Sequence, residues 1–241
     1  IVAVRVSLRA IQTPPSFLFH NVLSPQESEL DDFALATRLA FFLWRSPPDD
    51  KLLQAAHDGR LRSNTEILAA VERLIDDPKH QRFITDFTEQ AFRIDEINTT
   101  APDKILYPEY DERLGQAMVL ETKLFFQELI KENLGVANLI KSDFTFLNRR
   151  LAEHYQIPDV SGQHMRRREL PETSVRGGLL SQAGVHKITA NGTTSSPVPR
   201  GNFVLTNLLG QPAPPPPPNI AGLEPDTRGA TTVRDLLQKH R

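Results

Sequence analysis

Arg176, His186, Asn191 and Arg200 fall in one irregular stretch, together with Thr193, Thr194, Ser195 and Ser196. A guanidinium offers a fixed fork of donors, an imidazole donates or accepts, and hydroxyls and a carboxamide do both. Such a loop has the chemistry to bind an anionic or sugar-like ligand. Hydroxyl-rich loops also satisfy their own backbone, and that alternative stays open. In "SPVPRGNF" the prolines flanking Val198 stiffen the chain before an expected helix at Phe203–Leu209, and Gly201 is expected to supply a conformation closed to other residues. Arg200 then has two readings, a clamp on the carbonyls of the Arg176–Asn191 loop or a contact to an acidic ligand.

No other chemistry is marked by a motif in the sequence. The sequence has no phosphate loop, dinucleotide glycine fingerprint, nucleophile elbow or zincin helix motif. No Glu-x-x-His pair supports a di-iron bundle. Asp77 and His80 have metal-ligand spacing, but Asp77 is better placed as a helix cap, so no metal is assigned. Glu121 and Glu128 lie two turns apart on one helix and are expected to be solvated charges. His154 is expected to top a short helix as a cation favoured by the dipole, and Arg166 to Arg168 to form a solvated turn. No catalytic residue is assigned, and an enzyme is not the favoured reading.

The elements that position these residues follow from composition and spacing. The chain has 241 residues, 39% hydrophobic, which is enough for a packed core, and its net charge of -2 gives nucleic acid or an anionic membrane little attraction. With no cysteine it forms no disulfide, zinc-thiolate site or covalent haem link within itself. The first residue, Ile1, follows no leader segment, which suggests a piece of something longer. The most apolar run, Phe33 to Trp44, is interrupted by Arg38 and is far shorter than the roughly 20 residues of a transmembrane helix.

Helical periodicity predicts a helix fragment before Pro14, then one capped by Asp31 and Asp32 with Leu35, Leu39, Phe42 and Leu43 on one face. Others follow at 48–57, ended by Gly59; after the capping box "SNTE"; and after Asp77-Pro78. The longest runs from about Tyr110 to Glu132. "GVANLIKSD" and "TFLNRRLAEHY" predict two short helices, and "GLLSQAGVHKIT" a helix or two short strands. Pro212 and Pro214–Pro218 must be extended polyproline II, a stiff spacer, and "TTVRDLLQKH" predicts a last helix. The expected fold is mainly α: an N-terminal fragment and lead-in (1–29), a multi-helix domain (30–158), and a loop-rich region with short helices and a polyproline segment (159–241).

At "VRGGLLSQAGV", "TTSSPVPRGNFVLTNLLGQPAPPPPPN" and "TVRDLLQKHR" the sequence resembles the large exported planctomycete-type proteins of unknown function that are often fused to cytochrome c-like domains. "LDDFALATRLAFFLWRSPPDDKLL" and "DFTFLNRRLAEHYQIP" are similar to the helical domain that precedes those motifs. Arg176, Gly177, Gly178, Ser196, Pro197, Arg200 and Gly201 match signature positions of that family; Ala213 interrupts a usually unbroken proline run, and Phe203 stands where an aromatic, often Trp, is usual. The resemblance implies a periplasmic or extracellular, cell-envelope location, protein or cytochrome-domain partners, and haem c on a continuation beyond Arg241. It transfers no catalytic residue. The leading expectation is a non-catalytic scaffold or docking module of a cytochrome c-associated protein or larger redox complex; the alternative is a domain that binds or processes an envelope polysaccharide.

Overall fold

The computed structural model describes residues 2–13, 30–194 and 196–214. The proline run beyond Pro214 and the expected last helix lie outside them. The fold is mainly α, as the periodicity implied. Its helices are α1 (Val2–Gln12), α2 (Asp32–Trp44), α3 (Asp50–His57), α4 (Asn64–Asp76), α5 (Gln81–Ala91), α6 (Glu112–Lys131), α7 (Arg149–Tyr155), α8 (Ala183–Ile188) and α9 (Pro197–Phe203). Two strands, β1 (Phe144–Leu147) and β2 (Arg166–Glu169), pair antiparallel with Phe144 opposite Glu169 and Leu147 opposite Arg166. The chain divides into two compact units, Ile1–Asp86 and Phe87–Arg241. No helix among the described residues is long and apolar enough to cross a membrane.

In the first unit, Asp31 caps α2 by accepting the Ala34 amide at 2.6 Å. The inward face of α2 is centred on Ala36, Ala40, Leu43 and Trp44, while Leu35 and Leu39 are only partly buried and Phe42 is 61% exposed. The expected face is thus rotated, because small side chains at Ala36 and Ala40 let Leu52, Ala56, Leu61 and Leu74 pack close to the helix. Trp44 fills the centre and donates its indole N–H to Leu74 O at 2.8 Å. Asp49 caps α3 through the Leu52 amide and takes both guanidinium nitrogens of Arg73 at 2.7 and 3.0 Å. After α3, Gly59 turns the chain with φ 66°, as its type predicts. The capping box at "SNTE" does not close: Ser63 makes no side-chain cap bond, and Glu66 lies 3.8 Å from Arg60 instead. Asp77 caps the turn Pro78–His80 through the Lys79 amide, as expected.

The second unit is organised by α6, capped by Asp111 through the Leu114 amide at 2.7 Å. Leu114, Ala117, Met118, Phe125 and Leu129 face inward along it, and Phe126 stacks on Phe87 with centroids 4.7 Å apart. Two expectations change here. "TFL" is strand, not helix, with α7 beginning only after the cap Asn148, and the arginine triplet is a strand rather than a turn. Arg167 lies over the Phe144 ring at 4.3 Å and pairs with Glu128 at 3.2 Å, so Glu128 is half-buried rather than solvated.

Candidate ligand-binding cleft

The motif Arg176-Gly177-Gly178 fixes one wall of a cleft. Gly177 and Gly178 have φ of 138° and 81°, and a Cβ on them would stand 2.2 Å from Ser142 O and 2.6 Å from Ile140 O. Only glycine permits this close approach of backbone to backbone. Ser181 Oγ locks the turn, accepting the Gly177 amide at 2.8 Å and donating to Gly178 O at 2.9 Å. Arg176 is thereby aimed across Tyr155, its guanidinium carbon 3.6 Å from the ring centroid, while Nη1 donates to Ser181 O at 3.0 Å.

The opposite wall comes from the loop before α6 and from the segment after α8. The Asp103 amide donates to Gly192 O at 2.9 Å, and Tyr107 OH donates to Thr193 O at 3.1 Å. Lys187 donates to Thr100 O at 2.9 Å and to Ile97 O. The space between is about 270 Å³ and is faced by Arg176, Lys187, Arg200, His154, His186 and Glu109, with Tyr107 and Tyr110 beside them. Three of the four residues expected to bind a ligand therefore line it: Arg176, His186 and Arg200. Asn191 does not line the space. Its Oδ1 accepts the amides of Thr193 and Thr194 at 3.1 and 2.8 Å and so shapes the rim.

Arg200 does not precede its helix as expected; it lies inside α9, which begins at Pro197 after the N-cap residue Ser196. Proline at a first helical position has φ preset and no N–H to satisfy, which explains the early start. Gly201 consequently has ordinary helical conformation, and a Cβ there would meet nothing within 4 Å. Arg200 Nε donates to Thr189 Oγ1 at 3.3 Å, which ties α9 to the end of α8.

The field in the cleft is positive. Burial first, and Arg176 next, lower the pKa of His154, so it is not the dipole-stabilised cation expected at a helix end. Burial and Arg200 also lower His186, whose Nε2 lies 2.9 Å from Leu180 O, and burial lowers Lys187. Near neutral pH the two histidines are uncharged donors or acceptors, and the net cationic charge comes from Arg176, Arg200 and Lys187 against Glu109.

Behind the cleft, Glu121 is buried at 1% exposure, which corrects its assignment as a solvated charge. Its two oxygens accept from Thr145 Oγ1 and Tyr155 OH, both at 2.6 Å, and Tyr155 OH also accepts the Ala183 amide at 2.7 Å. Burial pushes the Glu121 carboxyl up to about 7 against the opposing pull of the two hydroxyls and Arg176. One sequence signal was available: Glu121 is three residues after Met118 and four before Phe125, inside the apolar arc of α6. Tyr155, Tyr107, Tyr110 and Lys187 had no such signal, because their partners are distant in sequence.

A mainly α protein whose second unit carries a cation-lined cleft is thus defined. Residues 30–157 match PSD4, a protein of unknown function (DUF1592), and residues 176–241 match PSCyt3, a protein of unknown function (DUF1588). The chain belongs to the PSD4 family, and both matched segments are planctomycete-type, cytochrome c-associated domains. No curated protein and no solved structure matches it.

Proposed function

We propose that the second unit is a non-catalytic binding module of an exported, cytochrome c-associated protein of the cell envelope, and that its cleft takes an acidic saccharide. The observation that carries the reading is the convergence of Arg176, Arg200 and Lys187 on one small space beside Tyr107 and Tyr110. Guanidinium forks match a carboxylate in geometry and charge, and tyrosine faces suit the apolar side of a sugar ring. A space of about 270 Å³ is just below the size range of drug-sized ligand sites and suits a single ring. Both matched segments contribute to it, Glu109 and His154 from the first and Arg176, His186 and Arg200 from the second, so the cleft belongs to their combination.

A glycan array tests this reading. Uronate-bearing oligosaccharides should bind the purified chain, neutral ones should not, and the Arg176→Gln/Arg200→Gln double variant should lose the signal. Equal retention of neutral and acidic glycans, or no retention of either, overturns it.

The match to PSCyt3 favours a second role, docking within a larger redox complex. Without cysteine, this chain's own residues do not fit covalent haem attachment, so haem c is proposed for a continuation beyond Arg241. The encoding gene decides: a Cys-x-x-Cys-His sequence beyond Arg241 supports the role, and a continuation without it removes the haem link.

A further inference from the structure

One side chain supports both walls of the cleft from behind. Tyr155 carries Arg176 on its ring at 3.6 Å, and its hydroxyl holds the amide of Ala183, the first residue of the helix that bears His186 and Lys187. The same hydroxyl donates to Glu121 at 2.6 Å. Glu121 itself touches no ligand space, so it acts on the cleft only through Tyr155 and through the field of Arg176.

We propose that Glu121 is a positioning residue whose protonation is linked to occupancy of the cleft: an anion that neutralises Arg176 is bound together with a proton taken up by the Glu121 carboxylate. The proposal deepens the binding reading above and rests on it. The proton comes from solvent, and no covalent bond changes.

The groups around Glu121 allow this exchange. β1 offers Thr145 and α7 offers Tyr155, two hydroxyls that donate to the carboxylate; on protonation the acid can donate to one hydroxyl oxygen while the other hydroxyl continues to donate to the remaining carboxyl oxygen. From the segment before α8 comes Arg176, the one cation whose charge favours the ionised form. α8 itself presents the Ala183 amide to Tyr155, and neighbouring Gln182 is uncharged and bonded to Thr122 at 2.7 Å. Arg168, opposite Thr145 in the sheet, donates to Asp159 O at 3.2 Å.

Burial raises Glu121 to about 7, the Thr145 and Tyr155 hydroxyls oppose that rise, and the field of Arg176, while no ligand pairs with it, adds a smaller pull in the same direction as theirs. An anion on Arg176 cancels that field and raises the carboxyl further, so protons bind as the ligand binds. Affinity is then greatest below pH 7 and falls as pH rises through the carboxyl's free and ligand-bound values. His154 and His186 face the same ligand and are lowered in part by the same arginine. They also take up protons on binding, from a lower starting point, so the test must isolate Glu121.

Two measurements do so. In the first, the Glu121 carboxyl carbon is followed by 13C NMR across pH, assigned by its loss in Glu121→Gln. Arg176→Gln, which mimics neutralisation without any ligand, should raise the midpoint by roughly half a unit or more; an unchanged midpoint overturns the proposal. In the second, glucuronate is titrated calorimetrically at pH 7.5 in buffers of different ionisation enthalpy. The wild type should take up a measurable fraction of a proton and Glu121→Gln far less; equal uptake by both overturns the proposal. If the wild type binds no glucuronate, the binding reading fails instead, and the Arg176→Gln midpoint still decides whether the two groups are coupled.

Discussion

The buried side chains clustered with Trp44 in the first unit are apolar and its indole N–H is satisfied by Leu74 O, whereas α6 of the second unit buries a carboxylate between Met118 and Phe125. The first arrangement depends on the volume and fit of apolar side chains. The second depends on particular atoms: two hydroxyls, one amide and one guanidinium, each placed by a different element. Chemistry that needs fixed donors is built on the second kind of packing, and the cleft lies in front of it.

Substitutions separate the two kinds, and the largest effect is expected in the apolar core. Trp44→Ala removes the largest buried side chain there and should cost about 3 to 5 kcal/mol in chemical denaturation, with little dependence on pH. The polar core should instead show itself in pH. The folded-state value of Glu121, about 7, exceeds its ordinary 4.5. Its contribution to stability is therefore fully present below pH 4.5 and lost as pH rises through 7, a change on the order of 3 kcal/mol. Glu121→Gln should flatten that slope in denaturation curves between pH 4.5 and 8; an unchanged slope would mean the carboxyl is not held as described.

Tyr155→Phe should cost about 1 to 3 kcal/mol, because the Ala183 amide and one Glu121 oxygen lose their buried partner. It should also lower affinity for uronates, which a purely structural tyrosine would leave unmoved. The smallest effect is Asp31→Ala, about 1 kcal/mol from loss of the α2 cap, readable as a small drop in melting temperature.

The comparison also explains what could be read in the sequence. Asp31, Asp77 and Gly59 mark helix ends through local backbone chemistry, and the long helix expected at Tyr110–Glu132 is observed at Glu112–Lys131. Those signals are contained within a few residues. The strand pair was hidden because Arg166–Glu169 has no alternation of apolar and polar side chains; it is held by pairing with Phe144–Leu147, across the intervening helix α7. Arg176, His186 and Arg200, singled out by type, line the cleft. Asn191 was misplaced because a carboxamide serves a turn as readily as a ligand. Lys187 and the tyrosines were missed because their roles arise from contacts such as Tyr107 to Thr193 and Lys187 to Thr100.

The central claim is that the cleft is a site for an acidic group, and the guanidinium Nε–Hε signals of Arg176 and Arg200 report on it directly. In 15N-labelled protein titrated with glucuronate at constant ionic strength, both signals should shift together and saturate, and glucose at the same concentrations should move neither. Shifts spread evenly over surface arginines and rising linearly without saturation would contradict the account.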